Sequence, residues 1–152
     1  MNKPVAAALL SIAIAQGLKL PLKKRVTGHW DWSAFFETGG MPSSHSAGVS
    51  ALATYIARLK GVKTIDFALA AIFGMIVMYD AQGVRRQAGE IAIKLNDLEE
   101  EMEHLAGMQD HHFHDRKNQK LKEKLGHQPI EVIGGAILGI SLGMIAHRLL
   151  EK

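Results

Sequence analysis

Apolar residues fall in four long blocks along this chain, and each block reads as a helix. Residues 4–18 are apolar apart from Ser11 and Gln16, with Lys3 before them and Lys19, Lys23, Lys24 and Arg25 after. This predicts a short transmembrane helix that carries Gln16 and Lys19 to the water boundary and ends at Pro21. Lys3, a short apolar core and Ala13-Ile14-Ala15 also imitate a signal peptide; the membrane span is the reading kept. The second block, 43–59, has Pro42 in its first turn and serine near its cap, and Gly61 marks its end. The third, 64–81, is interrupted only by Asp66 and Asp80 at its two ends. The last opens at Gly126-His127-Gln128-Pro129-Ile130-Glu131 and stays apolar to Leu150. Its Gly135, Gly139 and Gly143 make a small-residue face that lets a neighbouring helix come close.

Between the third and last blocks the spacing changes. Val84, Ala88, Ile91, Leu95, Leu98, Met102 and Leu105 alternate by fours and threes, with acids on the other faces. Such a heptad seam predicts an amphipathic, water-exposed helix whose stripe packs either on the same chain or on a second copy as a homodimer. Residues 107–125 are polar and read as a solvated linker; His111, His112 and His114 lack the ligand spacing of a metal site. Trp30, Trp32, Phe35 and Phe36 suit the headgroup zone beside a span, or an aromatic mini-core over a loop.

Composition sharpens the class. The chain is 47% hydrophobic and 22% charged, with a mean hydropathy of +0.04 that fits neither a soluble nor a membrane protein. The average conceals a division, because residues 38–57 and 132–146 contain no Asp, Glu, Lys or Arg. The expected fold is therefore all-α, a membrane helical bundle of about four spans plus one amphipathic helix, with residues 1–152 forming one domain and 85–126 a polar excursion. A soluble helical bundle is the rival, since the blocks fall short of a comfortable span of about 20 residues. Without cysteine there is neither a disulfide framework nor a thiolate metal site. A net charge of +3 gives no reason to expect nucleic acid.

Candidate chemistry gathers at the ends of the blocks. Gly39–Gly48 places glycines, Pro42, serines and His45 at a helix start, where open N–H groups attract phosphate. Arg85 and Arg86 follow Asp80 at the end of the third block, and arginine's planar fork suits phosphate. His127 and Glu131 stand four apart, on one helical face if the last helix begins that early. If the blocks cross up and down, Lys19, Arg25, His45, Asp80, Arg85, Arg86, His127 and Glu131 all reach one membrane face. Cations, N–H donors, two histidines and a carboxylate suit phosphoryl transfer from a lipid headgroup.

Gly39–Gly48, Tyr79–Gly89 and Leu125–Gly135 resemble the three signature stretches of the divergent branch of the type 2 phosphatidic acid phosphatase superfamily. That superfamily has helical phosphatases which work through a phosphohistidine without a metal. The resemblance makes Lys19 similar to the first-motif lysine, Pro42-Ser43-Ser44-His45 to the second motif, and His127 with Glu131 to the end of the third. It implies that His127 attacks phosphorus, Glu131 holds its tautomer and His45 protonates the leaving oxygen. Lys19, Arg85, Arg86 and the N–H groups of Ser43 and Ser44 would hold the phosphoryl oxygens, with Asp80 and Arg25 as orienting groups. No cofactor or metal is expected; the partners are the membrane and a phospholipid or polyprenyl phosphate substrate. Three departures stand out: Ser44 replaces a glycine, Glu131 an aspartate, and Leu121, six before His127, an arginine. They leave, as the alternative, a non-catalytic membrane protein that binds anionic lipid or a partner on the same face. Basic residues number twelve on the motif side against six on the other, which directs the site to the cytoplasm.

Overall fold

The computed structural model describes residues 2–35, 39–105, 121 and 126–152. It is all-helical among those residues: α1 (Lys3–Thr27), a 3-10 turn at Trp32–Phe35, α2 (Ser44–Lys60), α3 (Ile65–Gln82), α4 (Val84–Leu105) and α5 (Pro129–Leu150). Three stretches are long and apolar enough to cross a membrane: α1, the Ile65–Met102 stretch that begins with α3, and α5. The expected helical membrane bundle with an amphipathic helix is what forms. The polar stretch 106–120, with His111, His112 and His114, lies outside the described residues.

The caps explain most boundaries. The Asn2 side chain accepts from the Val5 N–H at 3.3 Å, and Pro4 sits in the first turn, where its missing N–H costs nothing. Contrary to expectation, α1 does not stop at Pro21 but runs two further turns. A proline removes one hydrogen bond and kinks a helix without obliging it to end. Termination comes at Gly28, where φ is +83° and the N–H bonds to Lys24 O at 2.8 Å. The extension lifts Lys23 and Lys24 beyond the apolar span, where Lys23 pairs with Asp31 at 2.7 Å. Lys24 lies 4.2 Å above the Trp30 ring, and Trp30 stacks on Trp32. Both tryptophans are exposed, so they form a cap facing outward rather than a mini-core.

At the centre is α2, against which α1, α3 and α5 all pack. Its inward positions are small: Ala47 and Ala51 are fully buried, and Gly48 faces Ile12 of α1. The stripe of α5 is smaller still. A Cβ on Gly135, Gly139 or Gly143 would collide with the carbonyl oxygen of Ser43, Ala47 or Ala51 in turn. The two helices thus meet backbone to backbone over two turns, as small residues permit. The outer faces of α1, α3 and α5 carry exposed leucine, isoleucine, phenylalanine and methionine, as lipid-facing surfaces do.

The amphipathic helix α4 departs from one of its two expected packings. Among its described residues, Gly89, Ala92 and Asn96 are buried. The heptad seam Val84, Ala88, Ile91, Leu95, Leu98 and Met102 points outward and is exposed. Asn96 is fixed by two bonds to the Leu121 backbone, at 3.1 and 3.2 Å.

Candidate functional site

Four local structures bring the site together at one end of the bundle. The first is the start of α2. Ser43 is its N-cap, and its hydroxyl accepts from the Ser46 N–H at 3.3 Å and the Ser46 hydroxyl at 3.0 Å. Pro42 therefore stands one residue outside the cap instead of within the first turn. The Ser43 N–H is already engaged, donating to Glu131 O at 3.0 Å, so the expected phosphate donor at this position is occupied. The N–H groups of Ser44 and His45 have no hydrogen-bond partner among the described residues.

The second structure is the start of α5. The helix begins at Pro129, because the residue before a proline disfavours the helical conformation. His127 thus lies outside the helix, and the expected pairing along one helical face is replaced by a cap. The Glu131 carboxylate folds back over the helix start and accepts from the Gln128 N–H and from His127 Nδ1, both at 3.1 Å. This leaves the proton on Nδ1 and the lone pair on Nε2. That Nε2 is buried and makes no hydrogen bond. Burial, the largest influence, pushes the His127 imidazole below its ordinary value of 6.5; Glu131 pulls it up, Lys19 pushes it further down, and the Gly40 backbone pulls it up again.

The third is the α3–α4 corner. His127 N–H bonds to Ala81 O at 2.8 Å. Gly126, with φ at +82°, lies so close that a Cβ there would strike the backbone N of Arg86. The corner places Asp80 and Arg85 together, Nε to Oδ2 at 2.7 Å, and pairs Arg86 with Glu90 at 3.1 Å. Asp80 thus holds Arg85 and not Arg86. Arg85, Lys19 and Asp80 all act electrostatically on His45. The fourth is Lys19 itself, buried in α1 at 4% exposure and acting on both histidines; it turns into the bundle instead of reaching the water boundary.

His45 and His127 face one another edge to face with ring centroids 5.8 Å apart. The Nδ1 of His45, like the Nε2 of His127, is a buried nitrogen with no partner. A group with several acceptor and donor oxygens would satisfy both. Beside them opens a cavity of about 510 Å³, walled by Lys19, Lys23, Arg86, Glu90, His127 and Glu131 among others. Arg25 is exposed and, like Ser43, Ser44, His45, Asp80 and Arg85, is not part of that lining. Lys23 and Glu90 escaped the sequence reading, though each lies four residues from a residue it did single out, Lys19 and Arg86. Leu121 does not reach the site; its backbone is tied to Asn96. Among the described residues no three His, Asp or Glu side chains converge on a metal position.

A family model described as "Divergent PAP2 family" matches residues 1–142. The Uncharacterized membrane protein YuiD of Bacillus subtilis (strain 168) is 44% identical over 147 residues, covering 95% of this chain and 93% of YuiD. No solved structure matches.

Proposed function

The chain belongs to the divergent PAP2 family of membrane proteins, and from that premise we propose that it hydrolyses a lipid phosphate monoester or diphosphate through a phosphohistidine. The observation that carries the reading is the bare, buried Nε2 of His127, whose other nitrogen is held by Glu131. A histidine in that tautomer offers its lone pair to an electrophile.

Nε2 attacks phosphorus, and the bond from phosphorus to the lipid oxygen breaks. His45, held as the imidazolium by the negative charge of the bound phosphate, delivers a proton to that oxygen, which leaves as the lipid alcohol or, from a diphosphate, as the lipid monophosphate, and His45 is left neutral. The Nδ1–H of His127 stays bonded to Glu131, whose charge offsets the positive charge that the ring gains. Lys19, Arg85, Arg86 and the open N–H groups of Ser44 and His45 stabilise the phosphoryl oxygens. A water, deprotonated by His45, then cleaves the phosphohistidine and releases inorganic phosphate. The depressed affinity of His127 for protons keeps it neutral, and so nucleophilic, at neutral pH. The excess of basic residues on this side supports a cytoplasmic orientation of the site.

The test is phosphate release by detergent-purified protein from phosphatidate and polyprenyl phosphates, with EDTA present. Wild type is expected to turn over, with His127→Ala and His45→Ala inactive but normally helical. Activity in His127→Ala removes the nucleophile. The changed third motif favours one other reading, anionic-lipid binding without catalysis, and that reading predicts lipid retention by wild type with no release from any substrate.

A further inference from the structure

The outward seam of α4 is unexplained by the bundle or the site. Val84, Ile91, Leu95, Leu98 and Met102 are each between 45% and 62% exposed, on a helix that the chain holds by a different face. We propose that this seam is the contact between two copies of the chain, joined as a parallel pair of α4 helices.

Two observations select a second copy over a lipid surface. A helix that lies on a membrane carries basic residues beside its apolar face. Here residues 84–105 hold three basic residues against six acidic ones, a balance that anionic lipid repels. The spacing is also that of a coiled coil: Ala88, Leu95 and Met102 take position a, and Val84, Ile91 and Leu98 position d. Lys94 then occupies position g and Glu99 position e. In a parallel pair, g of one helix faces the following e of the other, so Lys94 meets Glu99 of the second copy, twice by symmetry. Two copies in one membrane are related by an axis along the membrane normal, so the parallel pair requires α4 to run along that normal. The buried Ala92, also at position e, is small enough not to block the seam.

Because the chain lacks cysteine, single cysteines report the contact directly. Leu98→Cys, in full-length protein in its membrane, should form a disulfide-linked dimer under mild oxidation. Asp97→Cys, exposed and off the seam, should link at a small fraction of that yield. Adding Lys94→Glu to Leu98→Cys should cut the yield about fivefold through two repelling pairs, and adding Glu99→Lys to both should restore it. Equal linking at 97 and 98, or a yield indifferent to both charge changes, would overturn the proposal. So would quenching of a fluorophore at position 98 by spin-labelled lipid, which would place the seam in the membrane.

Discussion

Replacing the α5 glycines by alanine one at a time should order the variants by what each new methyl meets. At Gly143 the added Cβ would lie 2.7 Å from Ala51 O and 3.0 Å from Thr54 Cβ, where ordinary contact begins at 3.4 Å. The helices must part by about 0.7 Å, and overpacking of that kind costs roughly 1–3 kcal/mol. Alanine returns about 1 kcal/mol through helix propensity, so Gly143→Ala should lose about 0–2 kcal/mol net. Gly139→Ala is worse, since its Cβ would strike the O, C and Cα of Ala47, all backbone and unable to swing aside. It should lose about 2 kcal/mol or more, about 4–8 °C in the thermal midpoint. Gly134 is the control: its Cβ would meet the flexible Met41 side chain, the terminal methyl at 2.9 Å and Cγ at 3.9 Å. Gly134→Ala should match wild type or exceed it. The assay is thermal unfolding in detergent, followed by helical circular dichroism. A Gly139→Ala protein as stable as wild type, beside a destabilised Gly134→Ala, would refute the backbone contact between α2 and α5.

Glu131→Gln should lower kcat about 10–100-fold, because a neutral partner replaces a charge-assisted hydrogen bond to the imidazole. It should also move the acid limb of kcat/KM further below 6.5, since Glu131 is the main group that raises His127 against burial; an upward move would contradict the assignment. Gly126→Ala combines a left-handed backbone with a clash on Arg86, so phosphate release should vanish and the thermal midpoint fall by about 4 °C or more. At the opposite end, Glu151 is held below its ordinary value of 4.5, first by the Tyr55 hydroxyl and then by Lys3. A depressed carboxylate gives stability that is present above 4.5 and lost as pH falls through the lower folded value. Tyr55→Phe should flatten that acid loss, as thermal melts across the acid range would show.

The helix pattern was legible because each block has chemical ends: Asn2, Ser43 and Thr64 cap three helices, and Gly28 and Gly61 close two. The four site segments were legible because the blocks are similar in length and reverse direction, which brings alternate ends together. Pro21 misled, since the residues beyond it still form a helix once Gly28 provides a terminus. The relation of His127 to Glu131 was right in spacing and different in kind: the side chain reaches back across a cap, not along a turn. What the sequence left open was donor occupancy. Whether the Ser43 N–H faces phosphate or Glu131 O depends on how closely α5 approaches α2, and that distance is set by three glycines acting in concert. Likewise the face on which α4 packs is decided by Gly89, Ala92 and Asn96, residues too small or too polar to stand out in an apolar pattern.

The altered third motif invites an obvious repair, Leu121→Arg, and the structure argues that it should fail. Position 121 is held by Asn96, whose side chain grips the Leu121 backbone at both N–H and carbonyl. Asn96 lies ten residues along α4 from Arg86, about 15 Å at a helical rise of 1.5 Å per residue. Arg86 is the residue that reaches the cavity. Leu121 is 49% exposed and is not part of the cavity lining, so an arginine there would extend into solvent. The same helix that anchors position 121 away from the site delivers Arg85 and Arg86 to it, so the cations are supplied from a different element. Leu121→Arg should therefore leave phosphate release within about twofold of wild type, whereas Arg86→Ala should lower it about tenfold or more, as loss of a charged donor to a phosphoryl oxygen does. A Leu121→Arg variant with strongly raised turnover, or one that rescues Arg86→Ala, would show that position 121 reaches the phosphate, and the placement of the clamp on α4 would be wrong.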